Sequence, residues 1–240
     1  MNYQPAIHFN QVTYSPQGQM ILNNITGSFP EGAITTLVGP SGAGKTTLLK
    51  LCNGLLSADS GEILIKGQPI NSYEPTRLRR MVGLALQSAP MIPGTVLENL
   101  SLPFTLKKES FGRNEAQDAL EKVGLPSGLL DRNTNDLSGG QRQKVSIART
   151  LLNKPEILLL DEITSSLDRT SRQEIENLIV TINKQGTTIV WITHNLQQAV
   201  DIGSYTWVLM DGNVIETGES HILDSPSVER VKRFVKGEGK

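Results

Sequence analysis

Apolar and polar positions alternate through the first thirty residues: "AIHFNQVTY" and "QMILNNITGSF" set apolar side chains on one face, as half-buried strands do. A Pro30-Glu31-Gly32 turn leads to "AITTLVG", which runs without a gap into "PSGAGKTTLLK", a glycine-rich loop opening a helix. "SGEILIKGQPI" predicts a further strand and turn, and "RRMVGLALQ" a helix end feeding a buried strand. From Ser88 to about Pro155 helical spacing takes over, with "TVLENLSLPFTL" and "NEAQDALEKVG", the second stopped by Gly124.

Beyond Pro155 the alternation of element types returns. "EILLLDE" predicts a buried strand, "RQEIENLIVTINKQG" a helix with Ile175, Leu178, Ile179 and Ile182 on one face, and "TTIVWITH" a strand. "YTWVLMDGNVIETG" predicts a hairpin turning at Asp211-Gly212, and "SPSVERVKRFV" a last helix before lysines expected to be solvated. Strands alternating with helices imply an α/β fold with a mostly parallel sheet. The expected organisation is a single domain over 1–240, with a core lobe from 1–87 and 156–240, an antiparallel portion at its start, and an inserted helical lobe at 88–155.

The bulk numbers narrow the chemistry. With 240 residues, 38% hydrophobic and 20% charged, the chain can bury a sizeable core. A net charge of -1 argues against broad electrostatic binding of nucleic acid. A single cysteine, Cys52, cannot form an intramolecular disulfide, and three scattered histidines do not suggest a structural zinc site. No apolar run approaches the ~18 residues that span a bilayer, and "MNYQPAIHFN" lacks a basic-then-apolar signal pattern. A cytosolic placement is the expectation.

The stretch "GPSGAGKT", Gly39 to Thr46, has the spacing of a phosphate loop and sits between a strand and a helix, where that loop must sit. Gly39, Gly42 and Gly44 let the backbone curl so that its N–H groups, with those of Pro40's successors Ser41 and Ala43, point at phosphate oxygens; the helix beginning near Lys45, Thr46 and Thr47 adds its positive end. Lys45 is the candidate contact for β and γ phosphates, and the Thr46 hydroxyl a magnesium ligand. Downstream, "ILLLDE" carries Asp161 and Glu162 to the carboxyl end of a buried strand, where open α/β sheets place ligands. Asp161 is then expected to hold magnesium through water, and Glu162 to orient and deprotonate an attacking water. A second glycine pair lies in "LSGGQ", where Ser138 is a good N-cap for a helix carrying Val145, Ala148, Leu151 and Leu152. Its N-terminus is another anion site, far along the chain from the first.

The order of Gly39 to Thr46, Gln87, "LSGGQ", "ILLLDE", "SSLD" and His194 resembles that of the ATP-binding cassette (ABC) proteins over nearly the whole chain. The resemblance implies a P-loop NTPase (RecA-like) core and a head-to-tail homodimer holding two ATP molecules with Mg2+, each ATP between the phosphate loop of one copy and "LSGGQ" of the other. Ser138, Gly139, Gly140 and Gln141 would then bind nucleotide in trans. Gln87 would ligate magnesium or the water, His194 would contact the γ-phosphate and hold Glu162 in line, and Asp168 would sit at the subunit boundary. In "SSLD" the commoner family spelling has alanine where this chain has Ser166. Tyr14 follows the first strand where the family stacks an aromatic ring on adenine; the alternative is a plain strand tyrosine.

The resemblance also implies an integral membrane permease as partner, no nucleic acid, and a peripheral position on the cytoplasmic face of the membrane. In "SAPMIPGTVL", Met91 and Ile92 are expected to help form an exposed apolar docking patch. "LQSAPMIPGTVLENLSLPF" and "LLLDEITSSLD" are most similar to bacterial cassettes linked to metal, particularly iron, export, and are also similar to phosphate-import cassettes. A cassette acting on DNA or ribosomes is the rival class, disfavoured by the single cassette and the absence of heptads and of basic excess. A P-loop kinase or GTPase leaves "LSGGQ" and His194 unexplained.

Overall fold

A computed structural model describes residues 4–238; Lys240, one of the lysines expected to be solvated, lies outside them. In chain order the main elements are β1 (Pro5–Tyr14), β2 (Leu22–Pro30), β3 (Ile34–Val38), α1 (Lys45–Cys52), β4 (Ser60–Ile65), β5 (Gln68–Pro69), α2 (Pro75–Met81) and β6 (Val82–Ala85). There follow α3 (Val96–Lys107), α4 (Arg113–Lys122), α5 (Gly139–Leu151), β7 (Ile157–Asp161), α6 (Arg169–Lys184), β8 (Thr188–Ile192), α7 (Leu196–Ile202), β9 (Tyr205–Met210), β10 (Asn213–Glu219) and α8 (Glu229–Val235).

Two sheets form. An antiparallel sheet has the order β2-β1-β4-β5, and a six-stranded sheet the order β10-β9-β3-β8-β7-β6. Within the second, β9, β3, β8, β7 and β6 run parallel, and only β10 is antiparallel. The β7 strand shows why. All five of its residues are buried, and its side chains alternate between two cores: Ile157 and Leu159 pack with β1, β2 and α1, whereas Leu158 and Leu160 pack with α3, α5 and α6. A sheet covered on both faces has no polar side to show, hence the unbroken apolar run.

The first core is closed by Phe9, Phe29 and Trp207, whose ring centroids lie 4.7 to 5.7 Å apart. In the second, Val96, Leu100, Leu120 and Val145 from α3 to α5 share one cluster with Leu158, Trp191, Ile175 and Ile179. The helices between β6 and β7 therefore have no core of their own; they bury their apolar faces against the sheet and α6. Ile175, Ile179 and Ile182 are the buried stripe of α6, with Leu178 half-buried beside them.

Candidate functional site

The loop joining β3 to α1 is forced into shape by two close approaches. Gly39 has φ 147, and a Cβ there would lie 1.9 Å from the Leu209 carbonyl oxygen of β9. Gly44, at φ 96, caps α1 in the left-handed conformation, and a Cβ would meet Leu22 Cδ2 at 2.7 Å. Only glycine fits at either position. The resulting curl brings Ser41 to Thr47 around a cleft of about 600 Å3, whose other walls are Gln19, Met20, Ile21, Glu162, Asp211 and Gly212.

Lys45 is buried and donates from Nζ to the Gly39 and Pro40 carbonyls at 2.8 and 2.9 Å. Burial pushes its ammonium below the ordinary lysine value, against the charges of Glu162 and Asp161, which favour the cation. The Thr46 hydroxyl donates to Asp161 Oδ1 at 3.0 Å, so the end of β7 and the start of α1 meet. Burial also pushes the Asp161 carboxyl up, reinforced by Glu162 and opposed by the Thr46 hydrogen bond and by Lys50 and Lys45. A hydroxyl and an under-compensated carboxylate, both oxygen donors, suit a hard divalent cation such as Mg2+.

Glu162 has φ 51, a left-handed conformation that a glutamate adopts only when its surroundings hold it there. Its N–H donates to the Ile192 carbonyl at 3.1 Å, and its own carbonyl accepts from the Ser165 amide at 3.1 Å and the Ser165 hydroxyl at 2.9 Å. The turn aims the carboxylate at His194, whose Nε2 lies 2.6 Å from Glu162 Oε1. Gln87 is exposed and donates from Nε2 to Ser165 Oγ at 2.9 Å. It thus joins the segment after Glu162 rather than bonding to Thr46 or Asp161.

Ser138 caps α5 as its sequence predicts, and the cap is reciprocal: its hydroxyl accepts from the Gln141 amide at 3.2 Å, and Gln141 Oε1 accepts from the Ser138 amide at 3.0 Å. The amides of Gly139 and Gly140, in the first turn, have no intrahelical acceptor by position. This end of α5 packs on the start of α6, since a Cβ at Gly140 would lie 2.8 Å from Ser171 Oγ and one at Gly139 3.6 Å from Leu167 Cδ2. Asp168 caps α6, accepting from the Ser171 amide at 3.0 Å and hydroxyl at 2.7 Å, which holds its carboxyl below the usual range. None of Ser138 to Gln141 lines the cleft around Lys45.

Tyr14 is half-buried against the first core and is not among the residues lining that cleft. Sequence reasoning missed Gln19 to Ile21 and took Asp211-Gly212 only as a hairpin turn. Its hydrogen bonds, Gly212 N–H to the Ala43 carbonyl and Asn23 N–H to the Gly212 carbonyl, press this turn against the phosphate loop. The glycine at 212, where a Cβ would sit 2.4 Å from the Ile21 carbonyl, was the available signal.

Known proteins resemble this chain in sequence and fold. The family model described as ABC transporter matches residues 22–165, from β2 through the turn after Glu162. The chain is 45% identical over 239 residues to YjkB of Bacillus subtilis (strain 168), whose name assigns it to ABC transporter ATP-binding proteins; 97% of this chain and 95% of that one are covered. It is 33% identical over 234 residues to ABC transporter I family member 17 of Arabidopsis thaliana, covering 97% and 89%. Among solved structures, cbiO1 from Clostridium perfringens, part of the ABC transporter complex cbiONQ, superposes with a TM-score of 0.83 at 28% identity, covering 96% and 95%. The cassette MJ0796 in a dimeric, post-hydrolysis state bound to ADP and Pi superposes at 0.79 with 31% identity, covering 89% and 98%. With the phosphate loop, the Asp161–Glu162 strand end, His194 and the α5 glycines standing as described, the chain belongs to the ABC transporter family, as one of its ATP-binding, ATP-hydrolysing subunits.

Proposed function

We propose that this ATPase works as a head-to-tail homodimer that couples ATP closure and hydrolysis to a separate membrane permease. The observation that carries the dimer is the distance between functions: Gly139 and Gly140 pack on α6 and take no part in the cleft around Lys45. A second copy supplies the missing wall. The Gly139 and Gly140 amides and the α5 dipole then complete the γ-phosphate site, with Asp168 close to the boundary.

Within each composite site, Lys45 leaves the Gly39 and Pro40 carbonyls for the β and γ phosphates. Thr46, Asp161 and Gln87 would supply oxygen donors for Mg2+, which would offset charge developing on the phosphates. Glu162 orients the attacking water and accepts its proton, while His194 fixes the carboxylate and reaches the γ-phosphate. ATP bridging two copies stabilises the closed dimer by mass action, and hydrolysis removes the bridge.

No helix among the described residues is long and apolar enough to cross a membrane, and the membrane path is assigned here to a separate permease chain. That cbiO1 belongs to a multi-component complex supports such an arrangement here. The expected patch at Met91 and Ile92 is only half-exposed: Met91 packs on the second core, and the backbone of Ile92 is bound on both sides by Asn99. The surface nearby offers instead a mixed groove of about 230 Å3, in which Leu84, Pro90, Leu102 and Leu106 stand beside Arg79 and Arg149. Leu106, 75% exposed, makes it the better docking face for a permease helix on the cytoplasmic side of the membrane. A metal ion is the cargo favoured by the likeness of "LQSAPMIPGTVLENLSLPF" to metal-export cassettes. Tagging the chain in its own cell, extracting membranes in mild detergent and identifying stoichiometric partners tests the whole reading. A polytopic membrane protein is expected; recovery only with ribosomes, nucleic acid or soluble enzymes overturns it.

A further inference from the structure

Behind the Glu162–His194 pair runs a buried polar chain that the phosphate chemistry does not touch. Gln198 on α7, Thr193 at the end of β8 and Thr164 after Glu162 are each only 4% exposed. The Thr193 hydroxyl accepts from the Asn195 amide at 3.0 Å and donates to Gln198 Oε1. Gln198 Nε2 donates to Thr164 Oγ1 at 3.2 Å and to Glu176 Oε1, on α6, at 2.6 Å. Every hydrogen of the amide nitrogen and the carbonyl oxygen thus has a partner on a different element.

Those partners bracket the reacting groups. Thr193 and Asn195 are the neighbours of His194 on either side, and Thr164 stands two residues beyond Glu162, whose backbone is held at φ 51. Buried polar groups are unfavourable unless fully paired, and a fully paired set fixes its members in one geometry. A buried Leu here would pack without fixing the direction of either chain segment. We propose that Gln198 is a positioning residue for ATP hydrolysis: by bridging Thr193 and Thr164 it sets the separation and facing of His194 and Glu162. The assignment rests on Glu162 and His194 acting as proposed above.

Thr164 and Thr193 lie with Glu162 and His194 around a small cavity of about 230 Å3, apart from the phosphate loop and Lys45 that hold the nucleotide, so the effect is expected on turnover and not on ATP binding. The test compares Thr164→Val, Thr164→Ser and Gln198→Leu in the full chain, with Glu162→Gln in parallel, measuring kcat and KM for MgATP by phosphate release. Thr164→Val keeps shape and removes the hydroxyl; it is expected to lower kcat about tenfold with KM unchanged, since small misplacements of reacting groups cost rates of this order. Thr164→Ser, which restores the hydroxyl, should stay within about twofold of the parent. Should Gln198→Leu fail to fold, the two Thr164 variants decide alone. The proposal is overturned if Thr164→Val keeps its kcat, if KM rises in step with the loss, or if Thr164→Ser falls as far as Thr164→Val. An inactive Glu162→Gln beside a normal Thr164→Val removes the positioning role only; a fully active Glu162→Gln removes the base assignment and the proposal with it.

Discussion

Replacing Glu162 by Gln separates the two jobs given to this side chain. The substitution keeps shape and keeps an oxygen able to accept from His194 across the 2.6 Å contact, but a carboxamide cannot take a proton from water. Its backbone anchors, the Ile192 carbonyl and the Ser165 amide and hydroxyl, are untouched, so φ 51 at this position is as well held as before. A positioned general base contributes about 10²–10⁴-fold in rate, or about 3–5 kcal/mol at about 1.4 kcal/mol per tenfold. Turnover should therefore fall at least a hundredfold, while ATP binding stays equal or tightens because one negative charge has left the cleft. At an ATP concentration a hundred times its Kd, each bound nucleotide stabilises the state that holds it by about 2.7 kcal/mol. With hydrolysis blocked, the closed dimer should accumulate. Single-turnover phosphate release and light scattering with saturating MgATP read both effects. Turnover within tenfold of the parent refutes Glu162 as the base, and a variant that stays monomeric refutes the bridging by ATP.

Gly39→Ala sets a Cβ 1.9 Å from the Leu209 carbonyl oxygen at φ 147, so it should cost on the order of 3 kcal/mol in urea unfolding and abolish nucleotide binding. Asp161→Asn should do the opposite to the ligand-free protein. A carboxyl whose folded pKa is raised lends stability below its unfolded value, about 3.9, and loses it as pH rises through the folded value. At neutral pH the ionised Asp161 therefore opposes folding, and the variant, which can keep the Thr46 hydrogen bond, should melt no lower than the parent at pH 7, with the advantage gone below about pH 4. Its stabilisation by MgATP should be lost, and a lower ligand-free Tm at pH 7 would count against the burial argument. Leu106→Glu should leave ATPase activity of the isolated chain unchanged and reduce recovery in the membrane fraction; intact membrane association would move the docking face elsewhere.

Much of this was legible in the residues. The fully buried segments at 34–38, 157–161 and 188–192, mostly apolar, are strands of a parallel sheet covered on both faces, and the α5 cap could be read from Ser138. What escaped reading came from contacts between distant segments. Helix α7 was not anticipated: it has seven residues, "LQQAVDI", with only Gln198 and Ala199 buried, too short for a period to register, and its Asn195 cap was the one local sign. That the helices between β6 and β7 would share a core with the sheet could not be seen from their amphipathic pattern, which says that a face is buried but not against what. Likewise the cleft wall at Asp211-Gly212 arises from a hairpin folding back on a loop some 170 positions earlier, and its one local signal, Gly212, is shared by ordinary tight turns.

Head-to-tail completion of the site is the claim on which the rest depends, and complementation between two disabled copies tests it most directly. Lys45→Ala disables the phosphate loop. Gly139→Asp disables the α5 end without disturbing its own fold, since a Cβ there meets only Leu167 at 3.6 Å and an acidic residue suits a helix N-terminus. Each variant, in a Glu162→Gln background, should fail to retain ATP alone. Mixed one to one, they should form heterodimers in which one site has both halves intact, and ATP should be trapped in the dimer fraction at about one per dimer. Should the mixture trap no more ATP than either variant alone, both halves of the site must lie in one chain, and the head-to-tail account is wrong.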